Sequence, residues 1–346
     1  MQLEILGLLL ILLFVFILPF IFKKVEEELE IFLFIMGALS LTITKQWDLH
    51  ILKEAFLEPI KITIAVLVAG LLFNQLQNIL AENVNVLAKK IGIKWFIFLL
   101  IVILGLFSSI ITAIVAALIL VEIISHLKLD RKSEITVVIL ACFSIGMGAA
   151  LTPIGEPLST IAISKLKGEP YHADFFFLIK RLWLYIVPAV LAFAILSFFI
   201  IKHTRREEGL KEKEKENFKS IIIRSLKVYL FIMALVFLGS GFKPIIDMYV
   251  SKIHFFALYW INIISAVLDN ATLVAAEIGP SMKLNQIDAA ILGLIISGGM
   301  LIPGNIPNII AASKLKIKSK EWAKIGVPLG LIFLVVYFII LFLFEK

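Results

Sequence analysis

Cysteine is almost absent from this chain: Cys142 is the only one among 346 residues, and it lies in an apolar run. An internal disulfide, a CxxC metal site and a redox pair are therefore excluded, and the residue reads as a small buried filler. Histidine is scarce as well. His50, His126, His172, His203 and His254 all sit in or beside polar stretches, and none forms HExxH or another ligand pair, so no cofactor or transition-metal centre is expected. No nucleophile and base stand in a catalytic motif and no glycine-rich phosphate cradle is present, which argues against an enzyme. Charge is also sparse, at 17% of residues.

What fills the chain instead is apolar. Hydrophobic residues make up 61% of it and the mean hydropathy is +1.03, against about 45–50% apolar usage in soluble domains. This predicts an all-α polytopic protein of the cell membrane whose first partner is the lipid bilayer. The net charge of +7 then reads as an orientation signal rather than a nucleic-acid footprint. The first run, Leu3 to Phe22, has no basic residue before it and ends in KKVEEELE rather than a small-residue cleavage site, so it is expected to be a retained span.

Plain spans are predicted at about 3–22, 30–44, 58–80, 176–201, 221–241 and 322–344, each near the 20 or so residues a crossing helix needs. Residues 95–127 are too long for one crossing and carry Ser108, Ser109 and Thr112 in their middle, which predicts a re-entrant helical hairpin. Residues 254–282 repeat the design around Ser265, Asp269, Asn270 and Thr272. After each hairpin a helix is interrupted. At 134–166 the break is TPIGEP, with Thr152, Pro153, Gly155, Glu156 and Pro157; at 287–315 it is IPGNIP, with Pro303, Gly304, Asn305 and Pro307. Proline removes a backbone donor and glycine admits unusual backbone, so both breaks are expected to be unwound.

The chain is thus expected to use one plan twice: scaffold spans at 1–57, a first repeat at 58–201, a charged connector at 202–220 and a second repeat at 221–344. IAISKLK at 161–167 matches IAASKLK at 310–316 in all but one position. An offset near 150 residues suits the internal duplication of secondary transporters, and counting crossings makes the two units inverted. The basic connector 202–219, with KK at 89–90, DRK at 130–132 and KSKEWAK at 318–324, places that side in the cytoplasm.

A helix broken in mid-membrane leaves backbone groups unpaired, and protein, water or an ion must satisfy them. Freed carbonyls suit a hard cation such as Na+. Ionisable side chains at that depth cost at least about 2.5 kcal/mol and are functional candidates by default. Glu156 and Asp269 lead, each able to trade a proton for a cation and thus to carry Na+, the competing readings being a helix-end pair for Glu156 and a helix cap for Asp269. Asn305 and Asn308 could add neutral oxygens or serve only the turn. Ser109, Thr112, Ser265 and Thr272 could add hydroxyls or bond their own helix backbone, and Thr152 and Asn270 complete the set. Glu122 and Glu277 follow the two tips as weaker candidates, Glu122 expected near the cytoplasmic surface and Glu277 with structural pairing as its alternative. Lys165 and Lys314 are expected to neutralise helix C-termini, and Asp288 to be interfacial.

At these residues the chain resembles the ion-transporter superfamily, which includes divalent-anion/sodium symporters, arsenite exporters and sodium/proton antiporters. ALTPIGEPLSTI is similar to the unwound loop of that family's first repeat, and ISAVLDNATLVAAEI to the hairpin tip of its second; the likeness covers about 58–344. The overall plan is similar to that of an uncharacterised family of cation transporters. The resemblance implies a homodimer of scaffold and transport elements, sodium sites between hairpin tips and broken helices, and elevator-like alternation. Three departures matter. Glu156 and Asp269 stand where the anion symporters are neutral, the first tip SSIIT lacks the full Ser-Asn-Thr pattern, and some of the family's scaffold spans are missing.

Two carboxylates would repel an anionic substrate, which favours cation/proton antiport, with Na+ or another small inorganic cation and H+ as the transported species. A sodium-coupled carboxylate symporter is the alternative. An intramembrane enzyme using paired acids, or a purely structural membrane protein, is a remoter reading.

Overall fold

The computed structural model describes residues 2–127, 129–201, 218–249, 255–268 and 270–343. Asp269 and most of the charged connector lie outside the described residues, as does the side chain of Thr272. Every regular element among the described residues is helical: α1 (Gln2–Ile21), α2 (Lys23–Glu27), α3 (Leu29–Thr44), α4 (Leu49–Ile91), α5 (Ile93–Ile111), α6 (Ala113–His126), α7 (Arg131–Ala149), α8 (Pro157–Lys165), α9 (Phe177–Ile200), α10 (Phe218–Tyr249), α11 (Phe255–Ile261), α12 (Asn270–Glu277), α13 (Leu284–Gly298), α14 (Ile306–Leu315) and α15 (Ser319–Leu343). A 3-10 segment, Asn262–Ala266, continues α11.

Among the described residues six stretches are long and apolar enough to cross a membrane: Glu4–Ile21, Ile93–Ile111, Arg131–Ala149, Phe177–Ile200, Phe218–Pro244 and Ser319–Leu341. They make the chain a polytopic membrane protein. The expected span at 58–80 lies inside the single 43-residue helix α4, many of whose side chains fall outside the described residues. Pro59 does not end α4, just as Pro19, Pro188, Pro244 and Pro328 do not end α1, α9, α10 and α15. A lone proline costs one hydrogen bond and a local clash. Only where prolines flank a glycine, at TPIGEP and IPGNIP, does the helix stop.

Local chemistry sets the remaining ends. Asp48 and Asp130 cap α4 and α7 by accepting from the amides of Ile51 (2.7 Å) and Ser133 (3.1 Å). Gly92, at φ 89°, separates α4 from α5. Thr112 separates α5 from α6 and caps α6 through the Val115 amide (3.3 Å). The arms of this pair are unequal. At 19 residues α5 is long enough by itself to cross, whereas α6 has 14.

Apolar pattern decides who is central. Helix α7 is buried over nearly its whole length, while α1 and α15 leave large side chains such as Leu6, Leu10, Phe14, Ile332 and Ile339 exposed, as lipid-facing helices do. Around α7 the helix contacts fall in matched sets. In the first half α5 packs on α7, α7 on α9 and α4 on α6; in the second α11 packs on α13, α13 on α15 and α10 on α12. The halves also cross over, with α6 against α14 and α12 against α8. Polar ties fasten the crossing. Arg131 donates to the carbonyls of Leu315 (2.9 Å) and Lys316 (2.8 Å), the Tyr171 hydroxyl donates to the Met282 carbonyl, and Arg181 pairs with the buried Asp288. Asp288, near the start of α13, is buried against its α9 partner.

Candidate functional site

Between α7 and α8 the chain leaves the helix over residues 150–156, and between α13 and α14 over residues 299–305. The second break holds a short 3-10 turn, Ile302–Gly304, which contains Pro303. Each resumed helix starts from an extended residue, Glu156 at φ −157°, ψ 159° and Asn305 at φ −154°, ψ 147°. Pro157 follows at the first position of α8 and Pro307 at the second of α14, where a missing amide hydrogen costs nothing.

Glycine makes both breaks compact. A Cβ on Gly155 would run into the Ala149 carbonyl, and one on Gly304 would lie 2.5 Å from the Gly298 carbonyl. Side chains one turn into the resumed helices then reach back. Ser159 donates to the Ala150 carbonyl (3.0 Å), and Asn308 donates through Nδ2 to the carbonyls of Gly298 and Leu301, both at 2.8 Å. The Asn308 amide thus takes up two of the carbonyls freed by the second break.

Each break is met by the polar tip of its own helix pair. At the first, the Ala113 amide donates to the Gly155 carbonyl (2.9 Å), Thr152 Oγ1 donates to the Ser109 carbonyl, and Ser108 Oγ donates to the Ile145 carbonyl (3.0 Å). The tip residue Thr112 is held at φ 75°, ψ 150°, backbone almost confined to glycine and worth about 1–3 kcal/mol of strain. At the second, Ser265 Oγ donates to the Leu294 carbonyl (3.1 Å) and to Asn270 Oδ1. A Cβ on Gly304 would also lie within 3 Å of the Ser265 and Ala266 carbonyls, so the tip rests on the break. The second break and the start of α14 also rest on α7: a Cβ on Gly146 would sit 2.7 Å from Asn305 Nδ2, and Cys142 Sγ lies 3.7 Å from the Pro307 carbonyl.

The sequence-predicted residues therefore fall in two clusters. Glu156, Thr152, Ser109, Thr112, Pro153, Gly155 and Pro157 gather at the first break and tip, where Glu156 is buried. Ser265, Asn270, Pro303, Gly304, Asn305, Pro307 and Asn308 gather at the second. Ser109 spends its hydroxyl on the Leu106 carbonyl (2.7 Å), the local bonding that was its alternative reading. Around the second break three buried polar atoms find no partner among the described residues: Asn270 Nδ2, Asn308 Oδ1 and Ser297 Oγ. In apolar surroundings such atoms call for water or a ligand. Among the described residues no group of three or more His, Cys, Asp or Glu side chains is placed to hold a metal ion.

Sequence reasoning missed two pairs. Arg181–Asp288 joins α9 to α13, and Asn262–Glu277 joins the α11 and α12 arms. Neither has a motif, because each links residues far apart in sequence or on facing arms. Glu122, expected near the surface, is buried and lies 3.6 Å from His126 and 3.9 Å from Lys314. A cavity of about 540 Å³ opens beside Lys314, lined by Glu30, Lys227, Lys318, Ile309 of α14 and Ile302 of the second break.

Two interrupted helices met by polar helix-pair tips define a polytopic membrane protein with a polar site buried among its helices. The profile of the family described as Protein of unknown function (DUF1646) matches residues 5–344, and the chain belongs to that family. No curated protein matches it.

Proposed function

We propose that this protein is a secondary transporter of the cytoplasmic membrane that exchanges a small cation, Na+ in the first instance, for protons. The observation that carries the reading is the buried carboxylate Glu156 at the cap of a resumed helix, in a break met by a polar tip and matched by a second break beneath another tip. An acid in that position binds a proton or a cation and must trade one for the other to release either. Freed carbonyls at the helix breaks and the donor-free Asn308 Oδ1 supply neutral oxygens for a hard cation. Asp269, beside Asn270, is assigned as the second exchanging acid.

The repeated order of elements and the matched helix contacts support a reading as two inverted repeats with re-entrant helix pairs. The cavity beside Lys314 is the access route to the second break in this scheme, and a homodimer is the assembly the scheme expects. The superfamily resemblance adds elevator-like alternation to the proposal.

The test is made in proteoliposomes carrying an imposed pH gradient. Addition of Na+ dissipates the gradient in the native protein, while Glu156→Gln and Asp269→Asn abolish the effect. A gradient untouched by Na+, Li+, K+ or Ca2+ would overturn the reading. Na+-driven uptake of an organic acid that survives Glu156→Gln would replace it with symport.

A further inference from the structure

Glu277 ends α12 and is 7% exposed, yet no ion pair reaches it among the described residues. The helices packed against α12 are α8, α10 and α13. Of their described charged side chains, Asp288 pairs with Arg181, Lys227 pairs with Glu28 and Glu30, and Lys165 is exposed at the far end of α8. Glu156 caps α8, and neither Lys219 nor Lys243 of α10 forms an ion pair with Glu277. What Glu277 has is an amide. The fully buried Asn262 donates through Nδ2 to Glu277 Oε2 at 3.0 Å and to the Ala290 carbonyl at 3.2 Å.

Those two bonds fix the amide. Turned the other way, Asn262 would set its oxygen against the Ala290 carbonyl, with no hydrogen between them. The orientation leaves Asn262 Oδ1 and Glu277 Oε1 buried without a donor among the described residues. A buried carboxylate with one hydrogen bond and no counter-ion is strongly disfavoured as a bare anion. Either a proton or a metal ion completes it. The pair lies along α12 about 10 Å from Asn270 at the tip, one arm's length from the second break.

We propose that Glu277 and Asn262 form a monovalent-cation site between the α11 and α12 arms, occupied by a proton in the absence of metal and by Na+ in its presence, with Glu277 Oε1 and Asn262 Oδ1 as ligands. Arrival of Na+ displaces one H+ from the carboxyl, so charge balances within the site. It adds a station to the exchange path and rests on the exchange reading for its role, but it is tested by binding.

Infrared difference spectra of the lipid-reconstituted protein, Na+ against choline at equal ionic strength, read the carboxyl directly. The native protein is expected to lose a protonated-carboxyl band when Na+ is added and to release a proton to a dye in weakly buffered solution. Glu277→Gln is expected to lack that band change and to release one proton fewer per chain. A Glu277→Gln spectrum and proton yield equal to native overturn the proposal. Should that variant not fold, the native protein still decides, because no Na+-sensitive protonated carboxyl in it overturns the site outright. Failure of the exchange reading looks different: native vesicles then show no Na+/H+ exchange while the binding signal at Glu277 persists.

Discussion

Glu156 and Asn305 cap the two resumed helices with nearly the same extended backbone, φ −157°, ψ 159° against φ −154°, ψ 147°, but only Glu156 is ionisable. Shape is shared by the two breaks and electrostatics is not. The geometry follows from what stands around each cap, a glycine before it and a proline just after, and so persists whichever side chain occupies the cap.

Glu156→Gln should therefore leave the fold intact, since Asn305 shows that an uncharged amide fits such a cap. Na+-dependent collapse of a pH gradient should drop on the order of tenfold or more, the usual consequence of neutralising an ion-path acid. In the native protein, lowering the pH on both sides should slow exchange, because protons compete with Na+ for the same carboxylate. Fluorescence quenching in vesicles measures both effects, and a variant that exchanges at the native rate removes Glu156 from the path.

Gly155→Ala and Gly304→Ala should behave alike. Each new methyl would meet a carbonyl of the preceding half-helix, Ala149 or Gly298, and backbone cannot step aside as a side chain can. Overpacking of this kind costs about 1–3 kcal/mol. Lower thermal stability in detergent, with exchange lost in both variants, is the expected result; an unchanged Gly304→Ala protein would show that the second break is looser than described.

Asp288→Ala should destabilise the protein more than most substitutions in the membrane region. It would strip Arg181 of its partner between α9 and α13, and breaking such a pair costs about 3–5 kcal/mol when both groups are fully buried. Arg181 keeps 35% of its side-chain surface, so a figure nearer the lower end is expected. Thermal unfolding of Asp288→Ala, Arg181→Ala and the double variant tests this, with the double variant less than additive.

Asn308→Ala removes both donors from the Gly298 and Leu301 carbonyls. Leu301 keeps the Gly304 amide at 3.3 Å, but the Gly298 carbonyl loses the Asn308 donor, and an unmade buried acceptor costs about 1–3 kcal/mol. Asn308→Asp supplies no hydrogen to either carbonyl when ionised and should be worse than Asn308→Ala at high pH, recovering as the acid is protonated. Equal stability for the two variants across pH would remove the amide from its bridging role.

Much of this was legible in the chain. Proline and glycine at TPIGEP and IPGNIP declared both breaks, and the polar stretch SSIIT at 108–112 marked where α5 gives way to α6. Both signals are local, a missing amide hydrogen or a run of side chains that lipid rejects. What no local signal announced is tertiary: Glu122 meets Lys314, and Asp288 meets Arg181, each from another helix.

The sequence by itself determined a lipid-embedded helical chain, the places where its helices stop, and the acid in the first break, because hydropathy and backbone chemistry act over a few residues. Only the tertiary structure decided that α6 lies on α14 and α12 on α8, that Asn308 spans its break, and that Glu277 rests on Asn262 alone among the described residues. Those relationships join atoms distant in sequence or set on facing arms, and they exist only once close-packed helices have chosen their neighbours.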